Sequence, residues 1–184
     1  MKIMYIHGFG STFSKASEKI QALDTIGDVV GMSYDYTASA DTNVALLCEF
    51  AKSNSVDVIV GTSLGGWYSA EVGSILGVPS VLINPCVDPF NKLLKYVGTH
   101  VDHYDIPYEM TVEAVTSYHP MKIDGCSLVL LDEGDEVISH TDIDHLHHEF
   151  YVHRFRGGSH RFDHMMESLE IIVKHVHLCG LTYN

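Results

Sequence analysis

Two hydrophobic patterns alternate along the chain. In the first, a short run is composed almost wholly of apolar residues, as in KIMYI at 2–6, VDVIV at 56–60, SVLI at 80–83 and SLVLL at 127–131. A run of that kind suits a strand buried on both faces, which is how the strands of a parallel sheet read. In the second, apolar positions recur every three or four residues, the repeat of an amphipathic helix. The order of the two predicts a strand at about 2–8 that ends at a glycine, a helix at 14–23, a strand at 28–36 and a helix from about 41 to 53. A strand at 56–61 and a helix at 64–76 follow, the helix stopped by GVP. Then come strands in SVLINP and SLVLLDEGDEV, a helix at 141–150, a strand in YVHRFRGG and a last helix in DHMMESLEIIVKHVHL. Asp41 is the expected cap of the second helix, with Val44, Leu47 and Phe50 on its apolar face. The expectation is one α/β domain over 1–184: a mostly parallel sheet of about six strands with helices on both faces.

The pattern breaks between Pro85 and Cys126. Residues 86–125 hold three prolines and four tyrosines and contain no strand-like run. They read as a cap-like insertion of short helices and loops laid over an edge of the sheet.

Composition narrows the function classes. With 24 Asp and Glu against 11 Lys and Arg, the formal charge is −13. Such a chain repels phosphate backbones and anionic membranes, so neither nucleic acid nor a membrane is an expected partner. No apolar run approaches the roughly 20 residues of a membrane span, and the start MKIMYIHGFG is too short in apolar residues for a signal-peptide core. The expectation is a cytoplasmic protein, monomer or homodimer. Cys48, Cys86, Cys126 and Cys179 form no CxxC pair and read as free thiols.

The chemistry begins at VDVIVGTSLGGW, residues 56–67, where Gly61 and Gly65 flank Ser63 at a distance of two residues. A serine hydroxyl attacks a carbonyl only when a base takes its proton and when it stands clear of the backbone. A sharp strand-to-helix turn of the form G-x-S-x-G meets the second need, and small residues two positions either side avoid collision with the strand and helix. The pattern alone recurs by chance; a buried strand before it and a helix directly after it are much rarer together.

The base and its orienting acid should follow in the order acid, then histidine. SLVLLDEGDEV puts carboxylates in a loop just after one strand, and YVHRFRGGSHRF puts His160 in a glycine-rich loop just after the next. His160 alone among the histidines follows a strand and Gly-Gly immediately before the final helix. Asp135 is preferred as the acid over Asp132, which ends the strand itself. The oxyanion then needs two backbone N–H donors, Leu64 after the nucleophile and Phe9 in the loop after the first strand. His7 is expected to bond locally.

These residues resemble the α/β-hydrolases, and more closely the small bacterial esterases of the YqiA-like group. The resemblance is carried by YIHGF at 5–9, GTSLGGWY at 61–68, INPCVDPF at 83–90, GDEV at 134–137 and GGSHRF at 157–162. It implies a compact hydrolase lacking the superfamily's first two strands, with Ser63, Asp135 and His160 as triad, an acyl-enzyme intermediate and activity on small acyl esters. Gly10 stands where the group more often has Asn, a difference in the loop's substrate contacts.

The expected function is therefore a serine carboxylic-ester hydrolase acting on a small-molecule ester, with no cofactor and no metal. Thioester hydrolysis or acyl transfer would use the same triad, and a non-catalytic binding scaffold is the alternative from another class. A metal site on His145, His148 and Glu149, which would share one helix face, is the third rival. Phe9, Trp67, Tyr68, Phe90, Tyr104 and Tyr108 either line an acyl pocket or pack in the core.

Overall fold

The computed structural model describes residues 1–102, 105–123, 126–139, 143 and 152–182. Side chains alternate sides along a strand, so consecutive apolar residues commit it to burial on both faces. β1 (Lys2–Ile6) is so committed: Ile3 and Tyr5 join one core cluster, Met4 and Ile6 the other. The same split runs through β3 (Val58–Thr62), β4 (Ser80–Ile83) and β7 (Ser127–Asp132). With β2 (Asp28–Val30) and β8 (Val152–Phe155) they form a six-stranded sheet in the order β2-β1-β3-β4-β7-β8, every neighbouring pair parallel.

Helices cover both faces, as expected. On one, α1 (Glu18–Asp24) and the last helix α6 (Met165–Thr182) contribute Ile20, Leu23, Leu169 and Ile172. On the other, α2 (Ala40–Asn54) and α3 (Leu64–Leu76) contribute Leu47, Ala51, Trp67, Tyr68 and Val72. Each fully buried large apolar side chain adds about 1.5–3 kcal/mol of transfer free energy. α3 begins and ends at the expected residues, Gly77 closing it in the left-handed conformation.

Other boundaries differ from the sequence expectation. The second strand ends at Val30, because the chain turns inward and seats Tyr34 in the core, its ring stacked on His7 at 4.4 Å. α1 starts at Glu18, later than expected. Ser39, not Asp41, caps α2: its hydroxyl accepts the Thr42 N–H at 3.2 Å, leaving Asp41 in the first turn, where its charge still complements the helix dipole. The expected helix at 141–150 falls almost wholly outside the described residues.

Residues 86–125 hold strands after all. Beyond α4 (Pro89–Leu93) and a 3₁₀ turn at Leu94–Tyr96, β5 (Gly98–Val101) and β6 (Pro107–Met110) pair antiparallel, and α5 (Val112–Thr116) follows. GTHV and PYEM carry polar residues and are mostly exposed or half-buried, so no apolar run announces them. The free-thiol expectation also fails for two of the four cysteines. Cys126, just before β7, and Cys179, on α6, form a disulfide with Cα atoms 5.9 Å apart. Fifty-three positions separate them in sequence, and only the return of α6 along the sheet brings them together. Cys48 and Cys86 are buried thiols that take no part in this bond.

Candidate active site

The chain leaves β1 for β2 on one side and returns to β3 on the other, so a crevice opens at the carboxyl ends of β1 and β3. Register aligns these ends with their neighbours, pairing Ile6 with Gly61, Thr62 with Ile83 and Asp132 with Phe155. The loops leaving β3, β7 and β8 therefore meet at one edge.

Ser63 occupies the turn between β3 and α3 with φ 58° and ψ −120°, a conformation that costs a non-glycine residue about 1–3 kcal/mol. The surroundings hold it there. Its N–H donates to the Ile83 carbonyl at 3.0 Å, and its own carbonyl accepts from Gly66 at 2.9 Å and Cys86 at 3.0 Å. The flanking glycines are required by space: a Cβ on Gly61 would lie 2.0 Å from the Gly65 carbonyl oxygen, and one on Gly65 2.2 Å from that of Ile6.

The loop after β8 delivers His160. Its Nε2 lies 3.0 Å from Ser63 Oγ and its Nδ1 2.8 Å from Asp135 Oδ2. One tautomer serves both contacts, with Nδ1–H donating to Asp135 and Nε2 accepting from the serine hydroxyl. Asp135 comes from the loop after β7, and its side chain is only 2% exposed. Burial alone would raise its pKa. The bonds from His160 and from the N–H groups of Ile138 and Val137 outweigh burial and hold the carboxyl below its ordinary value. The backbone N–H of His160 donates to Glu136 Oε2 at 3.0 Å.

Asp132, the second candidate acid, faces elsewhere. Fully buried, it accepts the N–H groups of Asp163 at 2.7 Å and Ser159 at 3.2 Å and meets His164 Nδ1 at 2.7 Å. It thereby pins the loop that carries His160. Gly158 is needed beside it, since a Cβ there would sit 1.9 Å from the carboxylate. Asn84, at the end of β4, completes the scaffold and was not singled out by sequence reasoning. Its amide donates to the Ser159 carbonyl at 2.9 Å and accepts the Asp132 N–H at 2.9 Å, from a left-handed φ of 41°. The signals in the sequence are its place in the INPCVDPF stretch and the position of an asparagine, tolerant of positive φ, at the carboxyl end of a strand.

Leu64 opens α3 directly after Ser63, and Phe9 lies in the loop after β1. The Phe9 ring packs with Tyr36, Tyr96 and Tyr108 at 4.9–5.9 Å between centroids, joining that loop to the β5–β6 hairpin. Trp67 and Tyr68 are buried in the core, Phe90 is half-buried against it, and Tyr104 lies outside the described residues. His7 bonds locally, Nδ1 to the Gly8 carbonyl at 2.9 Å.

His145, His148 and Glu149 lie outside the described residues. Among the described ones, Cys126, His175 and Cys179 bring ligand atoms within 4.8 Å of one another, but two of the three are spent in the disulfide. No described helix is long and apolar enough to cross a membrane.

Residues 2–177 match the family described as Uncharacterised protein family (UPF0227). A UPF0227 protein of Vibrio atlanticus (strain LGP32) is 30% identical over 175 residues, covering 91% of this chain and 95% of that one. Among solved structures, the monoacylglycerol lipase of Paleococcus ferrophilus superposes with a TM-score of 0.70 at 12% identity, over 97% of this chain and 94% of its own. The type II thioesterase BorB from the borrelidin biosynthetic cluster gives 0.62 at 14% identity, over 96% and 91%. At these identities the likeness is one of fold, and the fold is that of the α/β-hydrolases.

Proposed function

The chain belongs to the UPF0227 family, and from that footing we propose that it is a serine hydrolase of small carboxylic esters. One observation carries the reading: Ser63, His160 and Asp135 are hydrogen-bonded in series at the carboxyl edge of the sheet. In the proposed reaction His160 takes the Ser63 proton as the oxygen attacks the ester carbonyl, and Asp135 orients the ring and stabilises its cationic form. The backbone N–H groups of Leu64 and Phe9 bind the oxyanion, with the first turn of α3 adding its dipole. The alcohol leaves with the proton from His160. Water, deprotonated by the same ring, then releases the acid from Ser63.

A fluorophosphonate probe followed by intact mass tests the nucleophile without the natural substrate, with p-nitrophenyl acetate and butyrate hydrolysis measured in parallel. One adduct on the native protein and none on Ser63→Ala is the expected result. Ser63→Ala should lower kcat by about 10⁴-fold or more while leaving the fold intact. A variant that keeps most of its activity would end the proposal. Absence of both adduct and turnover in the native protein would point to a binding scaffold. The same three groups serve a thioester, and rates on matched oxygen and sulfur esters rank the two leaving groups.

A further inference from the structure

The cleft that opens onto Ser63 and His160 extends along the loop after β1 to the start of α1 and encloses about 550 Å³. Its wall carries Lys19 and Arg161 together with Ser11, Thr12, Ser14 and Ser17, and no Asp or Glu is among its described lining residues. In a chain with 24 carboxylates against 11 lysines and arginines, that is the reverse of the general balance. Arg161 follows His160 directly, so the loop that delivers the imidazole also sets the position of this guanidinium.

Lys19 is half-buried. Burial, and next the neighbouring Arg161 charge, push its ammonium below the ordinary value against the pull of Asp163, Asp132 and Glu18. Glu18 and Asp163 line the adjoining cleft, which shares Lys19 and Arg161. The two cations are thus shared by a cleft whose described lining includes carboxylates and by one, facing the serine, whose described lining includes none. An anion arriving from the serine side would relieve their mutual repulsion and gain charge-assisted hydrogen bonds, supplemented by the hydroxyls.

We infer that this cleft receives a negatively charged group of the substrate, a carboxylate or phosphate a few bonds from the scissile carbonyl, with Lys19 and Arg161 as its specificity determinants. The inference rests on the serine-esterase reading and names the substrate class for it.

Matched substrates test it. On the acyl side, 4-nitrophenyl hydrogen adipate is compared with 4-nitrophenyl hexanoate; on the alcohol side, 4-acetoxybenzoate and 4-acetoxyphenyl phosphate are compared with methyl 4-acetoxybenzoate. The expected result is a kcat/KM about tenfold or more higher for the charged member of at least one set, shrinking as salt is raised. The ratio should fall toward one in Lys19→Gln/Arg161→Gln and persist in Lys19→Arg, which keeps the charge. Turnover of neutral esters with no preference for any anionic partner, or a preference untouched by the double variant, overturns the inference and leaves the esterase reading standing. If no ester is turned over and Ser63 takes no probe, that reading fails. The cleft is then judged by calorimetric titration of the native protein with adipate: binding abolished in the double variant sustains the anion site, and no binding ends it.

Discussion

Asn84 is a small residue with a long reach. It touches the carbonyl of Ser159 and the N–H of Asp132, so it ties the ends of β4 and β7 to the loop that carries His160. Asn84→Ala should leave buried polar groups unpaired and cost about 1–3 kcal/mol in urea unfolding. Because the loop would then be less firmly held, the rate of fluorophosphonate labelling should fall as well. His7 predicts a pH dependence. Its Nδ1 bonds the Gly8 carbonyl and its Nε2 accepts the Tyr34 N–H at 3.4 Å, an arrangement that suits the neutral ring. Burial pushes its pKa below the usual value, opposed in part by the bond to Gly8. A group with a depressed folded value binds its proton more readily when unfolded. The stability of the neutral ring is thus complete above about pH 6.5 and is lost as pH falls from there through the folded value. The difference in unfolding free energy between the native protein and His7→Gln should therefore shrink below pH 6.5; His175 has the same sign and remains in both proteins. A difference that is constant across that range would contradict the argument.

Among the elements, legibility followed burial. β3 and α3 were readable because a run of β-branched residues, a glycine-flanked serine and a Gly stop are all local signals. The β5–β6 hairpin was not readable, since GTHV and PYEM are held by pairing with each other and by docking of residues such as Met110, which is 1% exposed. The second strand is shorter than its pattern suggests because apolar and aromatic residues after Val30 serve the core without joining the sheet. The Cys126–Cys179 bond lies at the same scale, linking the start of β7 to α6. Closing a long loop in the unfolded chain contributes about 2–4 kcal/mol, so reduction of the native protein, or Cys126→Ser, should lower the urea-unfolding free energy by that amount. Cys126→Ser should also make stability insensitive to reductant. Equal stability with and without reductant in the native protein would mean that the bond does not form in solution.

For the whole molecule, a net charge of −13 on 184 residues implies self-repulsion in the compact state. Raising ionic strength from about 0.01 M to 0.15 M shortens the Debye length from about 30 to 8 Å. The thermal midpoint should rise by about 2–4 °C for each kcal/mol regained; a midpoint that stays level would show that the charges are already locally compensated. By itself, the sequence determined the alternation of buried strands and amphipathic helices, and so the parallel sheet and its carboxyl edge, because those patterns depend on neighbours a few residues apart. It also set Ser63 between two glycines at a strand-to-helix turn. Only the tertiary structure decided which carboxylate meets the imidazole. Asp132 ends β7 and Asp135 follows three positions later, and the choice depends on the path of a different loop, which sets Asp135 at 2.8 Å from His160 and buries Asp132 beneath the same turn. Asn84, the disulfide and the cationic cleft belong to that second class too. Each joins residues far apart along the chain, and no local pattern encodes a contact whose partners meet only after the sheet has formed.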